Sequence, residues 1–191
     1  MNFGLFYYCQ GRGAPHDQAY AEMLDQIVLA ETLGFDECWF AEHHFTDYSL
    51  LPSPNLMIAS AVQRTQRMRF GNYVNALSFH HPLRLAAEAA MLDNLARGRF
   101  DFGVGKGVRL KALTSRVWGG RTYDELEAIG GMVIGSPEQV AEKVAGLEAI
   151  GVDALLLVCS FGNLSHAQVC RSLELFTDAA IRPRPAERIG A

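Results

Sequence analysis

The stretch HHPLRLAAEAAMLDNLARGRFDFGVGKG, residues 80–107, decides the fold. Pro82 suits a first helical position, where its missing N–H would go unpaired anyway, and the residues up to Ala96 continue the helix. Residues 99–104 then form a strand that enters a glycine-rich turn, and residues 68–76 upstream form the strand before it. Strand, helix, strand in this order is the mark of a βαβ unit around a parallel sheet.

The same rhythm extends in both directions. Residues 2–8 read as the first strand and 17–33 as a helix whose Tyr20, Leu24, Ile27 and Val28 share a face before Gly34 stops it. Residues 38–41 are the second strand. Ser53 caps a helix that starts at Pro54 and runs to about Thr65. Downstream the rhythm breaks, because residues 107–131 hold the adjacent pair Gly119 and Gly120, an isolated Trp118 and no sustained period. Order returns with a capping box at Ser136 and Gln139, a helix bearing Val140, Val144 and Leu147, and a stop at Gly151. A long strand at 154–159 follows. Ser165 and Gln168 then start a last helix with Val169, Leu173 and Phe176 on its apolar face, and Pro183 and Pro185 end it. The expectation is one β/α domain over residues 1–181, irregular at 107–131, with a polar tail at 182–191.

Composition narrows the partners. The chain has 191 residues, is 49% hydrophobic and carries a net charge of −4, with Lys and Arg scattered along it. That offers no basic footprint for nucleic acid or an anionic membrane, so a small-molecule partner is expected. Apolar runs are far shorter than the roughly 20 residues of a spanning helix, and Met1 leads straight into a strand, so a soluble cytoplasmic protein is expected. Cys9, Cys38, Cys159 and Cys170 have no CxxC spacing and suit buried reduced thiols better than a disulfide frame or a zinc site.

In parallel β/α folds ligands gather at the carboxyl ends of the strands. After the second strand come Glu42, His43 and His44, polar groups at the rim where a histidine can take up or return a proton. Neighbouring residues point in opposite directions, so one histidine of the pair is expected in the site. The plain alternative is that both only hydrogen-bond loops. Metal binding ranks lower, because adjacent rings cannot easily face one ion and no HExxH spacing is present. After the fourth strand come Gly105, Lys106 and Gly107, where bare backbone amides and a positive charge suit a phosphate, although a plain turn explains them about as well. His80 and His81 stand beside Pro82 and Arg84 at a helix start, where a structural role is favoured.

Taken together, AEHHF at 41–45, the stretch at 80–107 and GSPEQVAEKVAGLEAIGVDALLL at 135–157 resemble the bacterial luciferase-like flavin monooxygenases. The resemblance covers most of residues 1–107 and 122–181. It implies a TIM-barrel-like parallel β/α fold, here shortened to about five long strands and therefore an open or incomplete barrel, since a full one takes about 250 residues. The missing part is contiguous, so the retained strands would lie side by side with the last long strand next to the first. By position His43 matches the family's catalytic histidine, with Glu42 beside it, and Lys106 matches a basic residue that meets the flavin phosphate. Tyr73 and Val74 match a strand-end pair that in luciferase supports the flavin ring through a non-proline cis peptide. Gly105 falls where luciferase carries a reactive cysteine.

The resemblance implies FMN, ahead of a deazaflavin, with molecular oxygen and a small organic substrate. The alternatives are a non-catalytic flavin-binding protein and a structural partner of a full-length relative, because the family's strand-five loop, which helps hold the flavin phosphate, is absent. The family commonly pairs through the helices after strands two and three, which implies a homodimer here, with edge-to-edge association of the open sheet as the alternative.

Overall fold

The computed structural model describes residues 1–11, 13–46, 48–106, 125 and 132–184. In chain order they form β1 (Asn2–Tyr7), α1 (His16–Leu33), β2 (Glu37–Phe40), α2 (Pro54–Val62), β3 (Arg69–Asn72), β4 (Asn75–Ala76), a 3-10 turn (Leu77–Phe79), α3 (Pro82–Ala96), β5 (Phe100–Asp101) and β6 (Val104–Gly105). After these come α4 (Pro137–Ala149), β7 (Ala154–Leu157), α5 (His166–Phe176) and a π-helical turn (Thr177–Ile181). Five strands make one sheet in the order β5-β3-β2-β1-β7, every pair parallel. The last long strand lies against the first, as expected, and the sheet is an open arc with β5 and β7 at its edges among the described residues.

The helix starts follow from their sequences. Ser53 Oγ accepts the Leu56 amide at 3.4 Å, and the capping boxes of Ser136 with Gln139 and Ser165 with Gln168 are closed in both directions. Gly34 ends α1 at φ 98°, a conformation that other residues adopt only at a cost. Strand alternation then sorts the two faces of the sheet. Phe3, Leu5, Tyr7, Cys38, Phe40 and Phe70 are buried against the helices, where Phe3 meets Phe176 of α5 edge-on at 5.5 Å. Phe6, Tyr8 and Trp39 lie on the opposite face. A side chain at Gly71 would run into the Trp39 ring, so the missing Cβ lets the indole lie across β3.

Three differences from the sequence reading stand out. The expected helix to Thr65 ends at Val62, and the Arg99 guanidinium takes the carbonyls of Val62, Thr65 and Met68 there. The expected strand at 68–76 divides into β3 and β4, and the strand at 99–104 divides into β5 and β6. After Asn72 and Asp101 the two chains leave the main sheet and pair with each other, Asn75 with Val104 and Ala76 with Gly105. Gly103 makes this possible, since any Cβ there would fall on the Asn72 carbonyl oxygen. Finally, residues 182–184 still belong to the fold: the Arg184 guanidinium bonds Glu148 at 3.0 Å and lies 5.2 Å over the Phe3 ring. The irregular segment expected at 107–131, apart from Glu125, and the polar tail beyond 184 lie outside the described residues.

Cys9, Cys38, Cys159 and Cys170 form no disulfide bond, and Cys9 and Cys38 are buried. Burial pushes the Cys159 thiol up to about 12, which fits a packing role. No helix among the described residues is long and apolar enough to cross a membrane.

Candidate functional site at the carboxyl ends of the strands

The chain leaving β2 enters the rim through Glu42, His43 and His44. The His43 amide donates to the Leu51 carbonyl at 2.9 Å, which ties this loop back to the start of α2. The two histidines diverge, as alternation requires. His44 Nε2 lies 2.7 Å from Glu42 Oε1 and its ring packs edge-on against Phe79 at 4.9 Å. His43 instead stacks on Tyr8 at 5.9 Å and meets Tyr48 edge-on at 5.6 Å.

Glu42 is the hub of the first group. Its side chain is fully buried and its two oxygens receive His44, His80 Nε2 at 3.0 Å, Asn75 Nδ2 at 3.1 Å and the Ala76 amide at 3.0 Å. Burial alone would raise the carboxyl pKa, but the bonds from His44, His80, Asn75 and Ala76 outweigh it and hold the group below its ordinary value. Glu42 is therefore an ionised anchor that joins the β2 loop to β4 and to the turn before α3. A carboxylate so fully engaged is poorly placed to accept a further proton from a substrate.

His43 is different. Burial depresses its pKa first, the neighbouring His44 adds to that, and Glu42 pulls the other way. At neutral pH the imidazole is thus uncharged, with a nitrogen able to accept a proton. Its partners are aromatic rather than acidic.

The remaining predicted residues lie on the adjoining strands. The Tyr73–Val74 peptide between β3 and β4 is cis. Tyr73 turns an exposed ring toward the open face, where it meets Phe6 at 5.7 Å and Trp39 at 6.4 Å, both edge-on. Val74 packs at Gly105, where an added Cβ would come within 2.6 Å of it. Lys106 follows β6 with an exposed side chain, and its carbonyl accepts the Ser78 hydroxyl at 3.2 Å. Gly107 lies outside the described residues. The structure therefore gathers Glu42, His44, Val74, Gly105 and Lys106 around the β4-β6 pair, with His43 on the side of β1.

Sequence reasoning missed Tyr8, Tyr48 and Asn75. Tyr8 carried a usable signal, since it ends the first strand two residues after Phe6 and so shares its face. His80 takes the structural role that was favoured for its turn, by holding Glu42. His81 is exposed, and Arg84 pairs with Glu88 along α3 at 2.9 Å. Among the described residues no group of three His, Cys, Asp or Glu is placed to hold a metal ion. A depression lined by Gln63, Thr65, Gln66, Arg97 and Arg99 lies at the opposite, amino-terminal end of the strands and has no part in this site.

Comparison with known proteins gives a family. Residues 1–129 match the model of the luciferase-like monooxygenases. An uncharacterised protein of Sinorhizobium fredii is 41% identical over 109 residues, covering 56% of this chain and 31% of that protein. Limonene 1,2-monooxygenase of Rhodococcus erythropolis is 42% identical over 109 residues, 56% of this chain and 28% of its own length. Among solved structures, the oxygenating constituent of 3,6-diketocamphane monooxygenase from Pseudomonas putida, in complex with FMN, aligns with a TM-score of 0.55 at 26% identity. That alignment covers 78% of this chain and 40% of the other. The matched stretch thus spans about a third of the curated relatives' length.

Proposed function

The chain belongs to the luciferase-like monooxygenase family, and we propose that it is an FMN-dependent monooxygenase that acts in the cytoplasm on a small organic substrate with molecular oxygen. The observation that carries this reading is the arrangement at the rim, where the half-buried His43 ring lies against Tyr8 and Tyr48, next to the buried Glu42 anchor and on the same rim as the exposed Lys106.

The residues present fit a flavin. The open face offers the rings of Phe6, Trp39 and Tyr73 to a planar heterocycle, and Lys106 offers an exposed ammonium to its phosphate. Bound reduced flavin would supply the electrons that activate oxygen. The protein's own part is to orient the substrate and to take or return a proton at the His43 imidazole. Glu42 acts through position, fixing β4 and with it Tyr73, Val74 and Ala76.

We further propose a homodimer formed by the outer faces of α2 and α3. Leu56 is 72% exposed, Leu83 77% and Met91 65%. With Ala87 and Ala90 between them, the residues of α3 form a helical stripe of apolar and small side chains.

Oxygen uptake with reduced FMN tests the activity. His43→Ala should lower turnover by about a hundredfold or more while FMN binding changes little. Equal turnover of variant and parent at saturating reduced flavin would remove His43 from the chemistry. Uptake no faster than that of free reduced FMN would refute the enzyme.

A further inference from the structure

At the amino-terminal end of the strands, the turn after α2 and the turn after α3 enclose a depression of about 240 Å³. Val62 and Leu95 give it an apolar wall, and Gln63, Gln66, Arg97 and Arg99 supply polar groups. Two of its lining residues are cationic and none is acidic, in a chain whose net charge is −4. A cationic hollow in an acidic protein points to an anion.

The two arginines have different duties. Arg99 is half-buried, and its N–H groups are taken by neutral acceptors. Its Nε donates to the Ala96 carbonyl at 3.1 Å, Nη1 to Thr65 Oγ1 at 3.2 Å and the Met68 carbonyl at 2.8 Å, and Nη2 to the Val62 and Thr65 carbonyls at 3.2 and 3.3 Å. These bonds satisfy the carbonyls at the ends of α2 and α3 and bring no carboxylate to the guanidinium. Glu31 acts on it only through space, since both Glu31 oxygens are bonded by the amides of Gln66, Arg67 and Met68.

Arg97 stands in front of that buried charge. It ends α3 in the left-handed conformation at φ 55°, and its exposed side chain has no hydrogen-bond or ion-pair partner among the described residues. The side chains of Gln63 and Gln66 are exposed and unpaired in the same sense. Burial depresses the Arg99 pKa first, while Glu31 pulls it up and Arg97 pushes it down. An anion beside the two guanidinium groups relieves that repulsion.

A free guanidinium fork, two carboxamide donors and a second positive charge behind them match a group with several acceptor oxygens and two negative charges. We propose that this depression binds a phosphate dianion, free or as a small monoester, with Arg97 as the bidentate contact, Gln63 and Gln66 as further donors and Arg99 as the counter-charge. Size restricts the ligand, because drug-sized molecules occupy sites of roughly 300–1,000 Å³. The depression lies at the opposite end of the strands from His43 and Lys106, so the proposal stands whether or not a flavin binds at the rim.

Isothermal titration calorimetry at constant ionic strength tests it, with inorganic phosphate, glycerol phosphate and acetate as probes. Saturable binding of phosphate is expected, with acetate weaker by about tenfold or more. Asparagine suits a left-handed backbone, so Arg97→Asn removes the charge and keeps the turn. It should weaken phosphate by about tenfold or more, the size of one charge-assisted hydrogen bond. Arg97→Lys should weaken it less, since the charge remains and only the fork is lost. Arg171→Ala, which removes an exposed cation paired with Glu174 on α5, should leave phosphate binding unchanged. Tighter binding of glycerol phosphate than of inorganic phosphate would support a monoester, and the reverse order free phosphate. No saturable phosphate binding by the parent at millimolar concentration, acetate binding as tightly, or an Arg97→Asn titration within twofold of the parent would overturn the proposal. Phosphate binding lost in Lys106→Ala and kept in Arg97→Asn would place the anion at the rim and overturn it as well.

Discussion

His80 Nε2 lies 3.0 Å from both carboxylate oxygens of Glu42, a residue 38 positions earlier in the chain. The contact closes the rim between the β2 loop and the turn that leads into α3, and it makes the buried carboxylate of Glu42 a structural element before it is anything else. Replacing it with Gln keeps the shape but removes the charge, and it sets an amide against donors that need an acceptor. Glu42→Gln should therefore cost about 1–3 kcal/mol in urea unfolding. A variant as stable as the parent would show that the four bonds contribute nothing net.

The same carboxylate gives the stability a pH dependence with a defined sign. Its folded pKa is below the ordinary value, so its contribution is complete above the unfolded pKa of about 4.3 and is lost as pH falls through the folded value. Glu31 behaves alike. Burial would raise it, but the amides of Met68, Arg67 and Gln66 outweigh that and hold it low. The stability gap between parent and Glu42→Gln should shrink as pH falls below about 4.3 and through the lower folded value of Glu42. A gap that widens toward low pH would contradict the assignment of Glu42 as ionised.

Gly103 is the position where the chain tolerates no side chain, because a Cβ would coincide with the Asn72 carbonyl oxygen. Gly103→Ala should destabilise the protein by about 1–3 kcal/mol through forced backbone shifts. Gly146 lies inside α4 with nothing near its missing Cβ, so Gly146→Ala should be neutral or stabilising by up to about 1 kcal/mol. Similar melting temperatures for the two variants would refute the close approach of β3 and the turn before β6.

These examples show where the sequence was readable. The capping boxes of Ser136 and Ser165 join residues three apart, so the string itself displays them, and Pro82 and Gly34 mark ends through backbone restrictions that need no tertiary context. The βα rhythm read from the string implied a parallel sheet, whereas the strand order, with the last long strand beside the first, came from the resemblance to a barrel that has lost its middle. The hub at Glu42 was hidden for the opposite reason. Its partners come from the β2 loop, from β4 and from the turn before α3, and no local period links Glu42 to Asn75 or His80. The division of the strand at 68–76 was equally silent, since alternation through Tyr73 and Val74 reads as continuous and only the resemblance flagged that pair. Tyr48 was invisible because it sits in a loop, where spacing carries no information about direction.

Assembly provides a further test. The exposed Leu83 and Met91 on α3 should be covered in the proposed homodimer, and a charge there should disrupt it. Light scattering at micromolar concentration should give twice the chain mass for the parent and the single mass for Leu83→Glu with Met91→Glu. A parent that stays monomeric on concentration and after FMN addition would refute the pairing.

The most direct test of the whole account is an equilibrium titration of FMN with the purified chain, followed by the flavin's visible absorption and fluorescence, with riboflavin alongside. Saturable binding is expected, with Lys106→Ala weakening FMN by about tenfold or more, the size of one charge-assisted contact to phosphate, while riboflavin, which lacks the phosphate, is almost unaffected. A flavin spectrum unchanged by the parent chain, or equal weakening of both ligands by Lys106→Ala, would contradict the account.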